Sequence, residues 1–317
     1  MIGYVAIFII LLAFEIAYLQ FAKRVGIVDK PHHQSSHTGE IIRGGGLIFY
    51  FAFALWSVLN GFRWGGGLLG LTILAGVSFI DDVHSINPKI RLICQFIAIM
   101  VMFNHSGLMR ESSWHVIALL AMACVGAMNI YNFMDGINGI TGGYSLVVSL
   151  ALLYVNKYMV HFAPESLLVY VILSIIVFCL FNFRRQVKCF AGDVGSLSIG
   201  FIMVYLVLIV ALRGHSMSWM AMLSVYFVDG GMTILHRILL RENLMKPHKK
   251  HAYQIMANEL KMPHLVVSGI YMGLQAICCV WYIACPGYWS LSLQVGILSV
   301  MYLLFMKKYY HLHVKRQ

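Results

Sequence analysis

Charged side chains are scarce in this 317-residue chain, where they make up 11% of all residues against 60% hydrophobic residues. An ordinary soluble domain carries about 25% charged residues. The mean hydropathy of +0.80 points the same way. The shortage of charge excludes an ordinary soluble globular protein and predicts an integral membrane protein.

Paired cysteine motifs and internal repeats are also missing. The seven cysteines are scattered, and no two have CxxC spacing, which argues against a disulfide framework or a zinc site. We see no repeat, low-complexity tract or linker that would separate two domains, so residues 1–317 are predicted to form one membrane domain. No basic residue precedes the first apolar run and no small-residue cleavage site follows it, which favours a retained helix over a signal peptide.

Long apolar runs are abundant instead, and each approaches the roughly 20 residues that a membrane-spanning helix needs. We predict an all-α polytopic membrane protein with about eleven transmembrane helices, or ten if the short run at 91–105 does not cross. The predicted spans are 2–22, 44–61, 65–80, 91–105, 114–131, 140–158, 166–183, 196–212, 217–236, 264–285 and 287–306.

Lysine and arginine give the predicted orientation. Most of them fall in alternate loops and in the tail, and the opposite side keeps only Arg63, Arg110, Lys157 and Arg213. By the positive-inside rule the amino terminus is periplasmic and the carboxyl terminus cytoplasmic. The cytoplasmic loops are then about 23–43, 81–90, 132–139, 184–195 and 237–263.

Most of the twelve acidic residues are predicted on or near the same cytoplasmic side, while Glu15, Glu111 and Glu165 are predicted on or near the other. Carboxylates contribute little to topology and are costly near lipid. A membrane face that gathers both carboxylates and cations suits a divalent metal that holds a phosphate substrate. The net charge of +11 follows largely from topology and does not indicate nucleic-acid binding.

Two cytoplasmic segments carry closely spaced polar groups. "FIDDVHSINPKIRL" ends span 3 with Asp81 beside Asp82, a repulsive pair that a cation or a shared proton would relieve, although a solvated helix end would also explain it. In "NFMDGINGITGG", Asn132 and Asp135 lie one helical turn apart before glycines interrupt the helix. A packing seam would explain the glycines but not Asp135.

Two further segments complete the pattern. "FNFRRQVKCFAGDVGSLSIGF" places Asp193 just before span 8, at a helix amino terminus that attracts anions, although an aspartate there could simply cap the helix. "KPHKKHAYQ" combines His248 and His251 with lysines in a cationic group suited to phosphate, or in a loop that only sets topology. "DKPHHQSSHTGEIIRGGG", near the amino terminus, has a similar character.

Taken in order, these segments resemble those of the bacterial polyprenyl-phosphate N-acetylhexosamine-1-phosphate transferases, which include phospho-N-acetylmuramoyl-pentapeptide translocase. The motifs are the Asp81-Asp82 pair, N-x-x-D-G-x-x-G from Asn132, and G-D-x-G-S-L from Gly192. "SSH…RGGG" and "HKKHAYQ" are similar to signatures of the subgroup that uses N-acetylfucosamine or N-acetylquinovosamine donors in O-antigen initiation. Asn138 departs from the family, since many relatives have a second aspartate there.

The resemblance implies roles for individual residues. Asp193 would bind Mg²⁺, with Asp81 and Asp82 supporting the metal or activating the lipid phosphate. Asp135 and Asn132 would line the catalytic and nucleotide pocket. His251 would contact the donor phosphate or sugar, and Phe190 would stack on uracil. Further predicted substrate-binding residues are Asn138, Asn182, Arg43, His37, His248 and Lys89.

The predicted reaction is attack by undecaprenyl phosphate on the β-phosphorus of a UDP-N-acetylamino sugar, with release of UMP. The predicted cofactor is Mg²⁺, for which Mn²⁺ could substitute. The resemblance places the enzyme in the bacterial inner membrane, with its active site on the cytoplasmic face. It also suggests a homodimer. On the residues alone an ion-coupled transporter remains the alternative, because intramembrane aspartates and broken helices also describe carriers.

Overall fold

The computed structural model describes residues 2–29, 40–243 and 249–309. Long helices account for most of these residues, and a two-residue antiparallel pair of strands, β1 (Val28–Asp29) with β2 (Ile41–Ile42), follows the first helix. The helices are α1 (Ile2–Val25), α2 (Leu47–Leu59), α3 (Gly65–Val83), α4 (Pro88–Ser106), α5 (Leu108–Glu111), α6 (Trp114–Met134), α7 (Ile140–Tyr158), α8 (Glu165–Asn182), α9 (Gly192–Arg213), α10 (Ser224–Leu239), α11 (Ala252–Gln254), α12 (His264–Ala284) and α13 (Tyr288–Tyr309). A 3₁₀ segment, Met217–Leu223, precedes α10, and a π-helical turn, Ile255–Glu259, follows α11.

The predicted all-α polytopic membrane fold is confirmed, since each of the eleven predicted apolar runs contains a helix. Within the described ranges, eight helical segments are long and apolar enough to cross a membrane. The helix α2 is shorter, with 13 residues, and α4 and α7 are not among the eight. Polar side chains dilute the apolar character of these two helices, as with Gln95 in α4 and Asn156 in α7.

Helix α9 forms the centre of the bundle. Every residue in its most apolar 18-residue stretch is buried. Helices α2, α3, α6 and α7 pack around it. A helix that is apolar on all sides is stable only when it is enclosed by other helices or by lipid. Because α9 begins at Gly192, the enclosed helix places Asp193 at one end of the bundle.

The segment after β2 is attached to the segment before α9 by a ladder of backbone hydrogen bonds. Phe190 N donates to Ile42 O at 2.8 Å, Gly45 N donates to Phe190 O at 2.9 Å, and Gly46 N donates to Ala191 O at 3.1 Å. The ladder brings the start of α2 directly against the start of α9. A Cβ atom on Gly46 would lie 2.3 Å from the Cα of Gly195, a distance that no side chain tolerates.

We predict that Gly46→Ala destabilises the protein by about 1–3 kcal/mol, because the added methyl group forces the two backbones apart. The thermal midpoint of the purified protein in detergent measures the effect. Gly273→Ala is the matched control, since a Cβ atom there meets nothing within 4 Å and alanine favours a helix. A midpoint for Gly46→Ala equal to that of Gly273→Ala would contradict the close approach.

Candidate active site

Three aspartates meet at the amino-terminal end of α9. Asp82, in the last turn of α3, accepts hydrogen bonds from the backbone N–H groups of Asp193 and Val194, each at 2.9 Å. The first N–H groups of a helix have no partner within the helix and carry its positive end. The Asp82 carboxylate therefore caps α9 from a different helix and holds Asp193 in place.

Arg91, in the first turns of α4, joins the other two carboxylates. Its Nη1 atom lies 2.5 Å from Asp81 Oδ2 and 2.9 Å from Asp193 Oδ2. Asp81 is also fixed through its second oxygen, which accepts a hydrogen bond from Ile86 N at 2.6 Å. One cationic nitrogen thus contacts two carboxylates at once, so their oxygens converge on a common point.

The interrupted segment between α6 and α7 packs against the same place. Ser196 donates to Asn132 Oδ1 at 2.6 Å and so ties the end of α6 to the first turn of α9. Burial raises the pKa of Asp135 to about 6, and the nearby Asp193 carboxylate adds to this shift, while the Thr141 hydroxyl opposes it. The Ser196–Asn132 hydrogen bond therefore brings the segment that carries Asp135 to the start of α9.

Two asparagines connect this segment to the loop between α8 and α9. Asn182 is 4% exposed; its Oδ1 atom accepts a hydrogen bond from Gly139 N, and its Nδ2 group donates to Cys189 O, each at 2.9 Å. Asn138 Nδ2 donates to Arg184 O at 3.1 Å. Both polar ends of Asn182 are engaged within the protein, so in this structure it holds two loops together.

The segment after β2 supplies another side of the site. Arg43 Nη2 lies 3.0 Å from Asp29 Oδ1, and its charge acts on Asp82 and Asp193. Phe190 lies beside it through the backbone ladder and is partly exposed. Lys89 is exposed in the first turn of α4.

Glu15 does not lie where the charge pattern placed it. It is fully buried in α1, and Cys189 Sγ lies 3.7 Å from its Oε1 atom. The sequence assigned Glu15 to the opposite face, but the loop before α9 reaches it from the side of the site. The assignment was wrong because the loop before α9 packs against α1 at this residue.

His251 packs against the end of α6 from the last large loop. Its ring is 1% exposed and lies 6.4 Å, centroid to centroid, from Phe133. Its Nδ1 atom lies 3.4 Å from Asp229 Oδ1. The predicted substrate-binding residues His37 and His248 lie outside the described residues.

Mg²⁺ prefers oxygen ligands, and the aspartate side chains of this site supply them. Within residues 2–29, 40–243 and 249–309, no three His, Cys, Asp or Glu side chains are arranged to hold a metal ion by themselves. Mg²⁺ is commonly bound by one or two carboxylates, with waters and substrate phosphates as the remaining ligands. The convergent oxygens of Asp81 and Asp193 fit that pattern, whereas both oxygens of Asp82 are engaged with backbone N–H groups.

Two residues of this arrangement were not singled out from the sequence. In the sequence, Arg91 is one of several cations that the positive-inside rule already explains. Only its short contacts with Asp81 and Asp193 in the structure distinguish it. In the sequence, Asp229 is one of many acidic residues predicted near the same membrane face. Its position within the apolar run of span 9 nevertheless indicates a functional residue, because carboxylates are rare there.

The comparisons with known proteins agree with this geometry. The model of the family described as Glycosyl transferase family 4 matches residues 64–211, which contain all three aspartates around α9. A probable undecaprenyl-phosphate N-acetylglucosaminyl 1-phosphate transferase of Bacillus subtilis (strain 168) is 25% identical over 256 residues, covering 74% of this chain and 70% of that protein.

Two further relatives are named undecaprenyl-phosphate alpha-N-acetylglucosaminyl 1-phosphate transferase. The one from Yersinia pestis is 30% identical over 222 residues, and the one from Escherichia coli (strain K12) is 28% identical over 225 residues. Each match covers 64% of this chain and spans 60% of the relative's length.

The helical segments long enough to cross a membrane and the carboxylate site at helix ends are thus found in a chain whose residues 64–211 are similar to Glycosyl transferase family 4. The relatives that the chain is similar to are named as transferases of N-acetylglucosamine 1-phosphate to undecaprenyl phosphate.

We predict that Asn138→Asp lowers stability and activity. An aspartate at this position cannot donate, and its charge would face the Arg184 carbonyl oxygen that Asn138 now contacts at 3.1 Å. Because this hydrogen bond is exposed to solvent, its loss costs about 0.5–1.5 kcal/mol. The thermal midpoint and the rate of UMP release measure the two effects. A marked gain of activity would contradict the prediction and show that Asn138 lowers activity relative to the aspartate of many relatives.

We predict a pH-dependent stabilisation by Asp135→Asn in the absence of metal. The pKa of Asp135 is raised to about 6 in the folded protein from a usual 3.8, so its charged form disfavours the folded state by a few kcal/mol above pH 6. The penalty develops as the pH rises from about 4 to 6 and is absent below that range. Thermal midpoints of the variant and the wild type should therefore differ at pH 7.5 and converge near pH 4, and a difference independent of pH would contradict the burial of this charge.

Proposed function

We propose that this protein transfers an N-acetylamino-sugar 1-phosphate from a UDP-sugar to undecaprenyl phosphate and releases UMP. The observation that carries the proposal is the convergence of Asp81 and Asp193 on one cationic nitrogen, with Asp82 fixing the helix that presents Asp193. The names of the relatives supply the acceptor, undecaprenyl phosphate, and a donor group, N-acetylglucosamine.

The reaction is a phosphoryl transfer, in which catalysis consists mainly of positioning and charge neutralisation. An oxygen of the lipid phosphate forms a bond to the β-phosphorus of the donor. The bond from that phosphorus to the bridging oxygen breaks, and UMP leaves with the electron pair. The acceptor oxygen is already ionised at neutral pH, so no strong base is required.

Asp193 and Asp81 are the residues that would hold Mg²⁺, since their oxygens already share one cation. When bound, Mg²⁺ neutralises charge on the diphosphate as it develops. Arg91 and Arg43 would add positive charge beside the carboxylates, and Asn132 and Asp135 would line the site from the end of α6.

The donor end of the site would lie toward Phe190, where uracil could stack on a partly exposed ring. The similarity of "SSH…RGGG" and "HKKHAYQ" to one subgroup adds N-acetylfucosamine and N-acetylquinovosamine to the candidate donors, and the product would initiate O-antigen or another surface polysaccharide. The proposed site faces the cytoplasm of a bacterial inner membrane, with the amino terminus periplasmic and the carboxyl terminus cytoplasmic. The same proposal includes the association of two copies of this chain as a homodimer.

The positions of the aspartates do not favour a transporter. Asp82 ends α3, Asp135 follows α6 and Asp193 begins α9, so these polar groups lie at helix ends. A carrier of the inverted-repeat type would place its binding groups near the bilayer midplane, in paired interrupted helices.

We predict that Asp193→Asn lowers UMP release from a UDP-sugar and undecaprenyl phosphate by roughly 100-fold or more, because the neutral amide is a poor ligand for Mg²⁺. Glu111→Gln is the matched control, as it makes the same chemical change at an exposed residue at the end of α5. Full turnover by Asp193→Asn with Mg²⁺ present would remove Asp193 from the metal site.

A panel of UDP-N-acetyl sugars assayed with the wild type tests the proposed function itself. We expect Mg²⁺-dependent UMP release with at least one of UDP-N-acetylglucosamine, UDP-N-acetylfucosamine and UDP-N-acetylquinovosamine, and restoration by Mn²⁺. Absence of UMP with every donor, in a protein that remains folded, would refute the transferase.

A further inference from the structure

Asp229 is a buried carboxylate that the proposed chemistry does not use. It lies in α10, is 4% exposed, and has apolar neighbours such as Val225 and Val228 on its own helix. Burying a carboxylate is costly unless it is paired and hydrogen-bonded. An aspartate in such a place within a membrane protein calls for a functional explanation.

The partners of Asp229 come from three different elements. Its Oδ2 atom accepts a hydrogen bond from the Tyr271 hydroxyl of α12 at 2.5 Å. Its Oδ1 atom accepts from Ala252 N at 3.1 Å and from the Thr233 hydroxyl at 3.3 Å. His251 Nδ1 lies 3.4 Å from the same Oδ1 atom. The carboxylate thus holds the start of α11 onto the membrane bundle.

The segment held in this way is attached on its other side to the motif that follows Asn132. The hydroxyl of Tyr253 donates to Phe133 O at 2.8 Å. A Cβ atom on Gly136 would lie 2.2 Å from that hydroxyl, so only glycine permits the approach. His251 is therefore placed between Asp229 and the end of α6, which is followed by Asp135 and is tied to α9 by the Ser196–Asn132 hydrogen bond.

We infer that Asp229 is a positioning residue for His251, and that through this contact it sets the orientation in which His251 meets the phosphate groups of the donor. Because Nδ1 faces the carboxylate, Nε2 is the ring nitrogen directed away from it. A carboxylate that orients a histidine through one ring nitrogen fixes the chemical role of the other. The inference rests on the proposed function and adds to it a residue outside the recognised motifs.

A double-mutant cycle tests whether Asp229 acts through His251. The four proteins are the wild type, Asp229→Asn, His251→Gln and the double variant, each assayed for UMP release with donor and acceptor varied separately. We expect each single variant to lower kcat/KM by at least tenfold with the acceptor KM unchanged, and the double variant to be no worse than the poorer single variant. Effects that multiply would overturn the inference, as would wild-type kinetics for Asp229→Asn.

A second pair of variants separates positioning from general destabilisation. Tyr271→Phe removes the hydrogen bond to Asp229, whereas Tyr282→Phe removes an equally short contact, 2.5 Å to the Ser218 hydroxyl, from the same helix α12. We expect similar losses in thermal midpoint but reduced donor kcat/KM only for Tyr271→Phe. Equal activity losses in both would overturn the inference, and this pair remains decisive if Asp229→Asn does not fold.

The two proposals fail in distinguishable ways. If the wild type releases no UMP with any donor, the proposed transferase activity is wrong, and the proposed role of Asp229 is wrong as well. If the wild type is active and Asp229→Asn matches it, only the positioning role is wrong.

Discussion

The contact between the Asp82 carboxylate and the first N–H groups of α9 is the interaction on which the arrangement of the site depends. It joins the end of α3 to the start of the enclosed central helix at 2.9 Å through two hydrogen bonds. Because these N–H groups belong to Asp193 and Val194, the same contact determines where the Asp193 carboxylate points. Asp82 therefore contributes most clearly through geometry, and its neighbour Asp81 shares the cation with Asp193.

Around this contact the site is made of loops that hold one another. Asn182 bridges the segment after α6 and the loop before α9, and the ladder from Ile42 to Ala191 adds the segment after β2. None of these connections requires a bound ligand. A site of this kind is organised before substrate arrives, which reduces the rearrangement needed during phosphoryl transfer.

The helices could be predicted from the sequence because hydropathy directly encodes which segments avoid water. The three aspartates around α9 also stand out, since a carboxylate beside an apolar run is costly and rare. Arg91 and Glu15 could not be interpreted in the same way. The role of a cation near a membrane face is hidden by the many cations that only set topology, and the depth of Glu15 depends on a loop whose path no local pattern records.

The order of synthesis gives the Asp82 contact a further meaning. Its partners lie 111 and 112 residues later in the chain. During synthesis α3 reaches the membrane with its terminal carboxylate well before the first turn of α9 exists. Until then water or lipid headgroups must solvate Asp82, which is feasible because it lies in the last turn of its helix. The position of Asp82 at a helix end therefore gives this carboxylate access to polar surroundings during the interval before its partners are synthesised.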